Sequence, residues 1–199
     1  MNGFTLANVS SMNLNFLVYV SNLYINHKES QHYRFPWLPI ENNVLLSDKE
    51  FNWKAKNLWN HIFDEISEFE NSNEELIKID IDINYWENNK FPFNILFNMN
   101  LAGTKFCEDI KKSFESWYWG IGTLMNDIFS DDLVKEYYDR LQDMAELNKS
   151  KLRDRSFYLQ IVYDKPPAGW KLKNENMITL APNMRLPAID ELFDICKED

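Results

Sequence analysis

Asp80 and Asp82, in LIKIDIDINYW (76 to 86), stand one residue apart and would leave the same face of a β-strand. Some two-metal phosphoryl enzymes present their carboxylates in this way. Such enzymes also need a third carboxylate and a phosphate-binding backbone, and no phosphate loop adjoins this stretch. A solvated strand face gives the same pattern more often. Of the three histidines, His27 and His32 flank a polar loop, while His61 has Asp64 and Glu65 beside it. That trio suits a metal or an acid-base pair, and equally an ordinary helix surface. No HExxH helix, nucleophile elbow or Walker-type loop occurs. Cys107 and Cys196 are too few and too far apart for a disulfide framework or a zinc set. The expectation is a protein without metal, cofactor or catalytic residues.

A second group is basic. Lys149, Lys151, Arg153, Arg155, Lys165, Lys171 and Lys173 are interleaved with Tyr158, Tyr163 and Trp170. Stacking rings among cations can hold single-stranded nucleic acid. Lysines guarding a sheet edge look the same and are commoner. The whole chain argues against nucleic acid: 21 Lys and Arg against 31 Asp and Glu give a net charge of −10, whereas counterion release needs clustered cations. A basic protein partner would gain from the opposite field, although acidity also serves solubility alone.

These residues must be positioned by a core, and 199 residues with 45% hydrophobic content can bury one. The first residues do not read as a secretion signal, and no apolar run approaches a membrane span. A cytoplasmic, reducing setting with no membrane contact follows. The many asparagines read as compositional bias. MNLNFLVYVSNLYIN (12 to 26) fits a strand or a helix, with its length favouring helix. Ser47 and Glu50 form a capping-box pattern before a stripe running from Phe51 to Phe69. Alternating isoleucines at 77, 79, 81 and 83 predict a strand over 76 to 86, turned by ENNK into FPFNILFN as a hairpin partner. A helix is expected over about 104 to 129, and another capped by Ser130. SFYLQIVYD and NMITLAP give two more strands, and Pro187 opens a terminal helix. The fold expected is a single α+β domain, an antiparallel sheet of about four strands packed with four to five helices.

Two tryptophans do not fit this core. At about 100° per residue, Phe106, Ile110, Phe114, Trp117, Ile121, Leu124 and Ile128 share one apolar stripe. Trp119 falls opposite it, between Glu115, Gly122 and Asn126. Trp53 lies roughly 160° from the centre of its own stripe, near Asn57, Asn60 and Asp64. Either ring could lie under a loop or anchor a partner, and Trp119 could also stack on a small ligand. Trp119, Trp53, Glu115, Asn126, Asp64 and Asn57 are therefore the candidate interface residues. The function expected is that of an acidic, non-catalytic binding protein that neutralises or regulates a macromolecular partner. An immunity or antitoxin-like protein, or an inhibitor of a basic enzyme, would fit. The alternatives are an enzyme of small phosphoesters using Asp80/Asp82 or His61, and a structural subunit of a larger assembly.

Overall fold

Residues 12 to 26 are apolar on every side of a helical wheel apart from Ser21 and four asparagines, and a helix of that kind belongs inside a protein. The computed structural model describes residues 4–28, 33–68, 75–182, 184 and 189–198, with side chains left aside at 68, 75–80 and 131. It places this segment as helix α1 (Met12–Lys28) at the centre of the molecule, with Leu14, Phe16, Leu17, Val18, Val20 and Leu23 fully buried. No helix among the described residues is long and apolar enough to cross a membrane.

The asparagines of α1 are not compositional filler. Asn15 donates to the carbonyl of Ile161 at 3.2 Å and accepts from the backbone N–H of Tyr163 at 2.9 Å. Asn22 donates to the Phe35 carbonyl at 2.9 Å and to Asp164 at 2.7 Å. Asn26 donates to the carbonyls of Arg34 and Pro36 and accepts from the Arg34 N–H. Each amide satisfies backbone groups of a segment that lies against the helix, which a buried polar side chain must do to avoid a net cost.

The helices around α1 are α2 (Asp48–Glu68), α3 (Glu75–Glu87), α4 (Leu101–Trp117), α5 (Thr123–Asn148) and α6 (Ile189–Cys196). Strands β1 (Thr5–Val9), β2 (Ser156–Ile161) and β3 (Met177–Leu180) form one sheet in the order β1-β2-β3. Every pairing is parallel, with Thr5 opposite Ser156 and Tyr158 opposite Met177. Both faces of the sheet are covered. Tyr158 and Met177 face the core around α1, while Phe157, Leu159, Ile161, Ile178 and Leu180 face a second core with α6 and the later part of α5.

The antiparallel four-stranded sheet is therefore overturned: the protein is mostly helical with one small parallel sheet. SFYLQI and MITL are strands, but β2 is buried at every position from Phe157 to Ile161, Gln160 included, as a strand covered on both faces of a parallel sheet is. The isoleucine-rich segment is the helix α3, and FPFNILFN contains only a short 3-10 turn, Phe93–Leu96. Asp82 and Trp86, four residues apart, are both buried, which is a helical relation. Trp86 packs edge-on to Phe16 and donates its indole N–H to Glu115 at 2.7 Å. Such contacts outweigh a β propensity worth about 1 kcal/mol. Ser47 accepts from the Glu50 N–H at 3.4 Å, so it caps α2, while the Glu50 carboxylate is turned to Lys54 instead of back to Ser47. Pro187 lies outside the described residues.

Ser130 starts no helix, because α4 continues through a π turn (Tyr118–Gly122) into α5. A π turn adds one residue to the helical repeat, so the inward face slips by about 100°. Before it, Ile110 and Phe114 face the core as their spacing predicts. After it, Tyr118, Gly122, Asn126, Ser130, Leu133, Tyr137 and Leu141 face inward, and the predicted core residues Ile121, Leu124 and Ile128 face solvent. Gly122 permits the slip. A methyl group there would meet the Trp117 ring at 3.0–3.2 Å, and that ring is held by Phe35 and Tyr163 with centroids at 4.9 and 4.7 Å. Nothing lies within 4 Å of the same position at Gly120.

Gly122→Ala should thus destabilise by about 1–3 kcal/mol through overpacking. Gly120→Ala should be neutral or stabilise by up to about 1 kcal/mol. Urea midpoints of the two variants measure the contrast, and equal effects would contradict the π-turn packing.

Candidate functional site

Parallel strands leave a crevice beyond their carboxyl ends, where α/β sheets commonly bind ligands. Here the end of β1 (Val9, Ser10), the end of β2 (Ile161), the start of α1, part of α3 and the π turn enclose a cavity of about 200 Å³. Its wall includes Asp82, Tyr118, Trp119, Thr123, Asn126, Asp127 and Ser130.

The deepest element of this wall is the start of α1. Ser11 caps it, its hydroxyl accepting from the Leu14 N–H at 3.1 Å. Asp82 completes the cap from α3. One carboxylate oxygen accepts from the Met12 N–H at 2.6 Å; the other accepts from the Ser11 hydroxyl and the Asn13 amide, each at 2.7 Å. Burial pushes the Asp82 carboxyl up from the ordinary range, against the lowering effect of these hydrogen bonds. The positive end of the helix dipole is thereby matched by a protein carboxylate.

Around the cap the donors are occupied internally. Tyr118 donates to the Ser10 carbonyl at 2.7 Å, Asn126 donates to the Ser10 hydroxyl at 2.8 Å, and Asn8 donates to Ser130. Ser130 donates to the carbonyl of Asp127 at 3.2 Å. Burial above all, with Asp82 and Asp127 nearby, raises the Tyr118 phenol well above its ordinary value. The Oδ1 of Asn126 is buried with no hydrogen-bond partner. Trp119 is 55% exposed, its ring edge-on to Tyr118 at 5.5 Å.

The cavity therefore brings together Trp119 and Asn126, which the sequence grouped as candidate interface residues, and Asp82, which it singled out for carboxylate chemistry. The other candidates lie elsewhere. Glu115 accepts from Trp86, Trp53 and Asn57 are exposed on α2, and Asp64 pairs with Lys171. Glu65 pairs with Lys90, and His61 lies edge-on to Phe91, so Asp82 and His61 do not converge. The Asp80 side chain lies outside the described residues. Within the basic segment, Lys171 and Lys173 pair with Asp64 and Glu191, and Arg155 donates to the Glu175 carbonyl. Tyr158, Tyr163 and Trp170 are buried, so they offer no platform for bases. Both cysteines are free and buried; burial raises the thiols to about 11 at Cys107 and about 12 at Cys196, which makes them poor nucleophiles. Among the described residues no group of three or more His, Cys, Asp or Glu could hold a metal.

Sequence periodicity missed the other surface that the π turn creates. Ile121, Leu124, Met125 and Ile128 are 60%, 57%, 49% and 69% exposed on the outer face of the helix. The signal that could have found it is the Trp-Tyr-Trp-Gly-Ile-Gly stretch itself, two glycines inside an otherwise unbroken helix.

Asp82→Ala should cost about 3 kcal/mol, because three buried donors lose their acceptor. Asp82→Asn should cost less, since its amide oxygen keeps part of the cap. A carboxyl whose folded pKa is raised contributes stability below its unfolded pKa, about 3.9, and loses it as pH rises through the folded value. The stability advantage of the wild type over Asp82→Asn should therefore shrink as pH rises from that point, in urea titrations of both proteins. Comparisons with protein-family models, with curated proteins and with solved structures return no match to this chain.

Proposed function

We propose that the protein acts by binding a basic protein partner along the outer face of α5, neutralising or regulating it without catalysis. The observation that supports this reading is the exposed quartet Ile121, Leu124, Met125 and Ile128, spaced as one helical stripe. An apolar stripe on a helix is ordinarily core, and its exposure here marks an interaction face. The charge around it selects the partner. Residues 119 to 148 carry seven carboxylates and two cations, and Asp127, Asp132, Asp139 and Asp143 are exposed. Apolar anchors would set the residence time, and the acidic surround the encounter rate with a basic protein. Such a partner could be a basic enzyme held inactive, as for an immunity or antitoxin-like protein. The phosphoester reading has less support, because Asp82 is engaged as a helix cap and His61 lies against Phe91, outside the cavity lining.

Ile128→Glu tests the proposal. Its urea midpoint should stay within about 0.5 kcal/mol of the wild type, as for other surface changes. A basic partner, identified by cross-linking in the native cell and then purified, should bind the wild type with a salt-sensitive on-rate. The variant should weaken that binding at least about tenfold, or 1.4 kcal/mol. If the wild type instead sediments as a dimer that Ile128→Glu disperses, the face joins copies of this chain and the proposal fails. It fails too if the partner binds the variant unchanged.

A further inference from the structure

The cavity at the strand carboxyl ends has a donor-acceptor balance that points to a ligand class. Apart from the Trp119 indole N–H and the Thr123 hydroxyl, its side-chain donors are already engaged. The hydroxyl of Tyr118 and the amides of Asn126 and Asn8 all donate to protein oxygens, and Asp82 fills the positive start of α1. The acceptors are in surplus. Asn126 is only 2% exposed, yet its Oδ1 has no partner. The exposed Asp127 carboxylate enters no hydrogen bond or ion pair among the described residues. No Lys, Arg or His is among the described residues lining the cavity. An anion would meet two aspartates and no cation, with only the neutral Trp119 indole N–H and Thr123 hydroxyl as donors, so a phosphate ester does not suit this site. At the rim stands the half-exposed ring of Trp119, whose face attracts cations.

We infer that this cavity binds the head group of an organic cation, a guanidinium or primary ammonium. Its N–H groups would donate to Asn126 Oδ1 and the Asp127 carboxylate, with Trp119 against its charge. The volume of about 200 Å³ accommodates such a head with part of its alkyl stem and excludes a nucleotide. The cation could be a free small amine or an Arg or Lys side chain of a protein. The apolar anchors of the outer face are separate from this site, since residues 126 and 130 face inward whereas 124 and 128 face solvent; Asp127 alone belongs to both, as a ligand here and as part of the acidic surround there.

The test uses butylguanidinium, butylammonium, their neutral shape analogue N-butylurea, inorganic phosphate and a capped Gly-Gly-Arg-Gly-Gly peptide. Saturable shifts of the Trp119 indole N–H in ¹H–¹⁵N spectra, assigned with Trp119→Phe, report binding at up to about 10 mM. The cations should bind, N-butylurea should bind at least about tenfold more weakly, and phosphate should leave the signal unmoved. Asp127→Asn and Trp119→Ala, both at exposed positions, should each weaken calorimetric binding by about three- to tenfold at unchanged urea midpoint. Ile128→Glu should bind like the wild type. Tighter binding of the arginine peptide than of butylguanidinium would assign the source as a protein side chain; exclusion of the peptide would assign a small amine. Absence of saturable shifts with both cations, equal binding of N-butylurea, or undiminished affinity in Asp127→Asn would each overturn the inference.

Discussion

A helix whose first residues are buried needs protein partners for its leading backbone N–H groups. In this molecule Ser11 and Asp82 meet them, and the placement of the other elements follows from that requirement. Asp82 reaches the start of α1 only if α3 crosses it there. Trp86, one turn further along α3, then meets Phe16 and Phe114 and fixes α4 beside the same helix. Farther along α1, Tyr24 donates to the Leu96 carbonyl at 2.6 Å and accepts from the Leu46 N–H at 3.1 Å, tying two loops to the same helix. The apolar rings supply most of the burial energy, while the polar groups of α1 determine which segment lies on which side.

This division explains what could be read from the sequence. Stripes that pack against one core were legible: Phe51 to Ile66 on α2, and Ile110 and Phe114 on α4. So were β2 and β3 as extended segments. The direction of the sheet was not, because strand pairing is a long-range choice and TLANV carries little local β signal. The isoleucine alternation misled because it describes only local preference, whereas the burial of Asp82 and Trp86 is decided by α1 and α4. The helical wheel misled after residue 118 because it assumes an unbroken repeat, and one extra residue in the π turn changes the face of everything that follows.

The same slip accounts for the partial success with the candidate site. Trp119 was singled out as facing away from a core and does stand half-exposed, beside Asn126 at the cavity. Asn126 is buried by the shifted phase, although it was grouped with a polar outer face. Glu115, Trp53, Asn57 and Asp64 had no such gathering force, and they remain on separate surfaces. One irregular turn thus produces both features: it closes the crevice beyond the strands with polar groups, and it turns apolar residues that belong to a core repeat out towards solvent.

The pairing of β1 with β2 carries a consequence for how the chain matures. Thr5 lies opposite Ser156, so residues 10 to 155 are synthesised between the two halves of one ladder. Contacts of such long range make for slow folding, since loop-closure entropy must be met before the ladder contributes. Meanwhile α1 leaves the ribosome long before Ile161 and Tyr163, whose backbone groups its Asn15 satisfies. The nascent chain therefore carries an uncovered helix with apolar side chains on every face through most of its synthesis, which makes it a ready client for chaperones that hold apolar segments until the last strands arrive.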